Sequence, residues 1–190
     1  MSDFTLYLTL GLEHIADLQA YDHMLFIISL CAIFQLKDWR KLLLLVTAFT
    51  IGHSITLALA VLDLLIVDQD LVEKLIPITI IITCLSNVIL ALRKSVQTNV
   101  WLHYSFALFF GLIHGLGFAN YLKSLLMGMV NLTIPLFSFN LGIEIGQLLI
   151  VAGYFLLYFF LTKVISIQHR NWVITVSAII ALISLNLVLN

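Results

Sequence analysis

The sequence predicts an all-α fold, a polytopic membrane bundle of about six transmembrane helices preceded by an N-terminal amphipathic or re-entrant segment. Composition is the first reason. Of 190 residues, 62% are hydrophobic and only 10% are charged, whereas a soluble domain carries about 25% charged residues. With a mean hydropathy of +1.13, the chain has too little polar surface to cover a water-soluble globule. The second reason is the arrangement of the apolar residues in long runs, five of which are long enough to cross ~30 Å of hydrocarbon.

In chain order, residues 4–18 form an amphipathic stretch expected to lie in the interface or dip into it. Apolar runs then fall at 22–36, 42–62, 75–92, 101–122, 134–162 and 172–189. The first is short unless it borrows from the ionisable stretch before it. The start "MSDFTLYLTLG" has no basic n-region or small-residue cleavage site, so no cleavable signal peptide is expected. Two prolines and the lack of a Ser/Gly-rich stretch leave no linker. Residues 1–190 therefore read as a single transmembrane domain. Cys31 and Cys84 both lie inside apolar runs, which excludes a disulfide framework. A formal net charge of −1 gives no reason to expect a nucleic-acid partner.

Loop charges predict the orientation. Lys37, Arg40, Lys41, Arg93, Lys94, Lys163 and Arg170 fall on one side of the expected membrane. Only Lys74 and Lys123 fall on the other, beside Asp63, Asp68, Asp70 and Glu73. The positive-inside rule then puts both termini on the non-cytoplasmic side. Trp39, Trp101 and Trp172 sit at cytoplasmic span ends, where an aromatic belt belongs.

This topology brings ionisable residues from four spans to a similar depth. His53 stands about 18 Å and His114 about 20 Å up their spans from the cytoplasmic end. Asp22 and His23 lie at the outer end of the first span, and Asn140, Glu144 and Gln147 in the outer half or middle of the fifth. Intramembrane ionisable residues are costly and usually line sites or pathways. A Glu at this depth needs a positive partner, a proton or a cation. No Lys or Arg lies within a span core to supply the first. That gap is the main argument for a cation site. Gly111 with Gly115, and Gly142 with Gly146, are small-residue pairs that let helices approach closely. Asn87 shares a face with Thr79 and Thr83 and reads as helix glue or as a supporting ligand. His103 and His169 lie toward the cytoplasmic side and are expected to be interfacial.

The stretch "GLEHIADLQAYDHMLF" carries Glu13, His14, Asp17, Asp22 and His23. On one continuous helix His14 and Asp22 would stand about 12 Å apart along the axis. A shared site therefore needs a break near 17–21, where no Pro or Gly forces one. Glu13 and Asp17 are expected to flank the outer mouth of the site in water.

Taken together, "HIADLQAYDHMLF", "TAFTIGHSITL", "FGLIHGLGFA" and "FNLGIEIGQL" resemble, in the same order, the motifs of the HupE/UreJ family of hydrogenase and urease accessory membrane proteins. Where relatives carry Gly before the Asp-His pair, this chain has Ala20. The resemblance implies a bacterial inner-membrane protein linked to uptake of nickel or another divalent metal. Its motif positions carry over to His14, Asp22, His23, His53, His114 and Glu144 as metal ligands. The faces of their helices add Asn87, Asn140 and Gln147 as expected supporting residues. Such ligands suit a divalent transition metal, nickel or zinc foremost.

The expected activity is thus a permease or metal-binding accessory protein rather than an enzyme. Its expected partners are membrane lipid, the metal ion, and a second copy or a metalloenzyme-maturation protein. The alternative is an intramembrane metal-dependent hydrolase acting on a lipid or lipid-linked substrate, with Asp22 or Glu144 as general base.

Overall fold

A computed structural model describes residues 2–18, 20–93 and 100–189. Among these residues there are eight α-helices and no strand. They are α1 (Asp3–Ile15), α2 (Asp22–Ala32), α3 (Trp39–Val61), α4 (Gln69–Leu92), α5 (Val100–Gly117), α6 (Ala119–Leu126), α7 (Thr133–Ile165) and α8 (His169–Leu189). A single 3₁₀ turn, Leu36–Asp38, leads into α3. Lys94, one of the loop cations that set the orientation expectation, lies outside the described residues.

Four helical stretches are long and apolar enough to cross a membrane alone: Leu36–Val61, Gln69–Leu92, Thr133–Val164 and His169–Leu189. A fifth crossing can be made by Trp101–Gly117 with Ala119–Leu126, which meet at a bend of 52°. The expected run at 101–122 is therefore bent near Phe118. The expected run at 22–36 becomes α2, whose 11 residues cover only about 16 Å.

What precedes α2 explains how so short a helix is used. Residues 8–15 of α1 pack against residues 139–146 of α7 in the same order along both helices, so the two are parallel. At its start α1 is tied to the α6–α7 loop by Tyr7 Oη, which donates to Met129 Sδ at 3.4 Å. It then descends along α7 instead of lying flat. The chain breaks over 16–21, and α2 continues toward the opposite end, where the Ile33 carbonyl lies 3.3 Å from His169 Nε2. Thus α1 and α2 follow one another along the bundle as two short helices, and the described residues offer four to five crossings where about six were expected.

Glycine makes two of the helix pairings possible. A Cβ on Gly11 would collide with the carbonyl of Phe139, and one on Gly142 with that of Leu8. Between α3 and α5, a Cβ on Gly111 would strike the Phe49 carbonyl and one on Gly115 the His53 carbonyl. Such close backbone approach supplies the packing energy that hydrophobicity cannot supply in lipid. The interior is built of Phe26, Phe49, Phe139, Leu45, Leu57 and Ile80, all buried. Leu44, Ile51, Leu85, Phe109, Phe160 and Leu182 are exposed around the outside, as a lipid-facing belt requires. Trp39 and Trp101 join that exposed surface, but Trp172 turns inward and donates to Tyr154 Oη at 2.7 Å.

Candidate metal centre

Four imidazoles meet in the middle of the bundle. His14 comes from the last turn of α1, His23 from the first turn of α2, His53 from α3 and His114 from α5. Ring centres are 4.6 Å apart for His14–His23, 6.0 Å for His14–His53, 6.1 Å for His23–His53 and 5.1 Å for His23–His114. One nitrogen from each of His14, His23 and His53 lies within 4.8 Å of the other two. Two nitrogens bound tetrahedrally to one ion at about 2.0–2.1 Å would stand roughly 3.3 Å apart. Closure around an ion therefore needs ring movements on the order of 1 Å.

The α1–α2 break creates this meeting. It turns His14 and His23, nine residues apart in sequence, toward one point, although residues 16–21 contain neither Gly nor Pro. The break follows from tertiary packing. Gly11 and Gly146 hold α1 on α7, while Asn87 of α4 donates to the Ser29 carbonyl of α2 at 2.7 Å.

Hydrogen bonds fix which nitrogens are free. His23 Nδ1 lies 3.1 Å from Asp22 Oδ1, which also accepts the His23 backbone N–H at 2.9 Å. A carboxylate only accepts, so Nδ1 carries the proton and Nε2 keeps its lone pair. At His114 the argument runs through a hydroxyl. Thr79 Oγ1 donates its one proton to the Ile76 carbonyl at 2.7 Å, so it accepts from His114 Nε2, 3.2 Å away. That leaves Nδ1 as the lone-pair nitrogen of His114.

Among the described residues, His14 Nε2, His23 Nε2, both nitrogens of His53 and His114 Nδ1 are buried without a hydrogen-bond partner. Buried polar atoms are nearly always satisfied, so this concentration in one cluster calls for an occupant. The donor set fits a divalent transition metal held by neutral imidazoles. Asp22 is placed to orient His23, in the way carboxylates commonly orient metal-binding histidines.

The remaining expected residues lie outside the four imidazoles. Asn140 donates to the Leu136 carbonyl at 2.8 Å. Gln147 accepts from Thr50 Oγ1 at 2.8 Å, and Glu144 from Thr47 Oγ1 at 2.8 Å. Glu144 is thus bonded to α3 about one helical turn beyond Asn140, outside the nitrogen trio. Asn87 ties α4 to α2, as helix glue does.

Two contributions were not legible in the sequence. Thr79 sets the tautomer of His114, and Phe118 stacks on His14 with ring centres 3.9 Å apart. The only signal for Phe118 is its position after "HGLG", where the α5–α6 bend turns it inward.

On one side the cluster opens to a cavity of about 790 Å³ lined by Glu13, His14, Asp17, Phe118 and Tyr121 among others. On the other it is closed by Phe26 and Phe49, whose ring centres lie 5.0 Å and 5.3 Å from His114.

These features define a multi-pass helical membrane protein with a buried histidine centre. The family described as "HupE / UreJ protein" matches residues 1–189, essentially the whole chain. The chain belongs to the HupE/UreJ family, a family of membrane proteins associated with nickel and cobalt handling. Comparison with curated proteins and with solved structures finds no match.

Proposed function

We propose that this protein is a divalent transition-metal permease of the bacterial inner membrane, with nickel or zinc as the foremost cargo and His14, His23, His53 and His114 as the ligands. The single observation that carries this reading is the set of buried, unpartnered imidazole nitrogens, with one nitrogen from each of His14, His23 and His53 within 4.8 Å of the other two. Asp22 orients His23. Asp22 adds a negative charge beside the imidazoles, in an interior whose span cores hold no Lys or Arg, and a divalent cation balances it.

The acidic loops and both termini face the non-cytoplasmic side under the positive-inside rule. The wide cavity at Glu13 and Asp17 is then the entrance. There the exposed carboxylates attract cations over roughly a Debye length of 8–10 Å. His14 stands on the wall of that entrance and passes the ion to His23 and His53. The whole chain acts as one transmembrane unit within the lipid. Protons compete with the ion for every imidazole, so uptake falls as pH falls.

The test is elemental analysis of the purified protein, followed by metal flux into liposomes. Bound metal with flux is expected. Bound metal without flux would replace this reading by the metal-dependent hydrolase or by a storage or assembly role.

A further inference from the structure

A permease needs a way onward from its binding site, and the two sides of the cluster differ in this respect. Between α3 and α7 the polar groups stop at Thr47 and Glu144. Beyond them lies an apolar groove of about 570 Å³ lined by Val46, Leu148, Val151 and Phe155 among others.

Between α4 and α5 the polar groups continue. Thr79, Thr83, Ser86 and Asn87 follow one another at i, i+4, i+7 and i+8 on a single face of α4. They descend about 12 Å from the His114 contact toward the basic end. There Thr83, Ser86 and Asn87 meet His103 of α5 around a second cavity of about 30 Å³. That volume has room for one water or one ion.

Phe110 lines this lower cavity and also meets Phe26, with ring centres 5.8 Å apart. Phe26 in turn lies against His114. Both rings are buried, so they separate the lower cavity from the histidine cluster. The ring of Phe34 is 6.0 Å from His103 and lines a larger cavity at the basic end, about 730 Å³, with Lys37, Arg93 and Arg170. Those cations disfavour retention of a metal ion there and favour its release.

We propose that Thr83, Ser86, Asn87 and His103 form a second, inner station for a divalent cation that has shed most of its water, gated from the histidine cluster by Phe26 and Phe110. This rests on the permease reading. His103, expected from sequence to be merely interfacial, becomes the exit ligand. Ser86 and Thr83 offer hydroxyl oxygens that substitute for part of the hydration shell. Rotation of the Phe26 and Phe110 rings opens the connection.

Two experiments on the full-length protein test this. In liposomes, His103→Ala and Thr83→Val are each expected to lower zinc flux roughly tenfold, the scale of losing one metal-supporting contact. In a background with Cys31 and Cys84 replaced by Ala, Ser86→Cys is expected to react with a water-soluble thiol reagent applied from the basic side. The neighbouring lipid-facing Leu85→Cys is expected not to react. Wild-type protein that binds zinc but carries none would overturn the permease reading, and the station with it. Wild-type flux undiminished in both His103→Ala and Thr83→Val would overturn the station alone. So would an unreactive Ser86→Cys in protein that still transports.

Discussion

Substituting Asp22 by Asn separates two roles that a carboxylate beside a metal-binding histidine can play. Asp22 Oδ1 accepts from both the ring Nδ1 and the backbone N–H of His23, at 3.1 Å and 2.9 Å. Asn keeps an oxygen that can accept those bonds, so His23 retains its orientation in part. It loses the charge that raises the basicity of Nε2 and that helps balance a divalent ion. Removing such an outer partner commonly weakens metal affinity by about 10–100-fold. That corresponds to about 1.4–2.8 kcal/mol at 1.4 kcal/mol per decade. The assay is competition for zinc or nickel between the detergent-purified protein and a chelator of known affinity, with His23→Ala measured in parallel. His23→Ala is expected to abolish specific binding, and Asp22→Asn to weaken it within the stated range. Complete loss in Asp22→Asn would make Asp22 a direct ligand. An unchanged affinity would remove it from the site altogether.

Gly115→Leu is expected to lower unfolding stability by about 1–3 kcal/mol, the range for overpacking, because even a Cβ there meets the His53 carbonyl and Thr56 Oγ1. Gly153→Leu, with nothing within 4 Å of the added Cβ, is expected to stay within about 0.5 kcal/mol of wild type; chemical denaturation of both in one detergent checks this. Glu144→Gln is expected to leave the fold intact and weaken metal binding by removing a carboxylate on the helix that flanks the cluster, and wild-type affinity in that variant would exclude Glu144 from the site. Metal affinity is expected to fall progressively on acidification, because the ligating imidazoles must be neutral; chelator competition across a pH series reads this, and a flat profile would argue against histidine ligation.

Loop charge and helical rise led to the expectation that His53 and His114 share a level, and both rings do lie beside His23. Sequence reasoning also marked Gly111, Gly115, Gly142 and Gly146 as close-packing positions. It did not reveal the helix that meets Gly142 and Gly146. That partner is α1, expected to lie in the interface or dip into it, and its run along α7 delivers His14 to the centre. The break after Ile15 was recognised as necessary for a shared site, yet nothing in "ADLQAY" encodes it. It arises because α1 packs along α7, whereas α2 packs on α4 and α8 as well as on α7. The tautomer of His114 was equally hidden, since it depends on where Thr79 sends its single proton. Glu144 illustrates the opposite case. Its helical face was read correctly, but only the α3–α7 contact places it on Thr47 and outside the nitrogen trio.

The central claim is that the imidazoles on α1, α2, α3 and α5 together hold one divalent transition-metal ion. X-ray absorption spectroscopy at the metal edge of zinc- or nickel-loaded protein tests it most directly. The account predicts at least three nitrogen ligands at about 2.0–2.1 Å, with the multiple-scattering signature of imidazole, and loss of that signature in His23→Ala and His53→Ala. A shell of oxygens alone, or an imidazole signature unchanged in both variants, would contradict it.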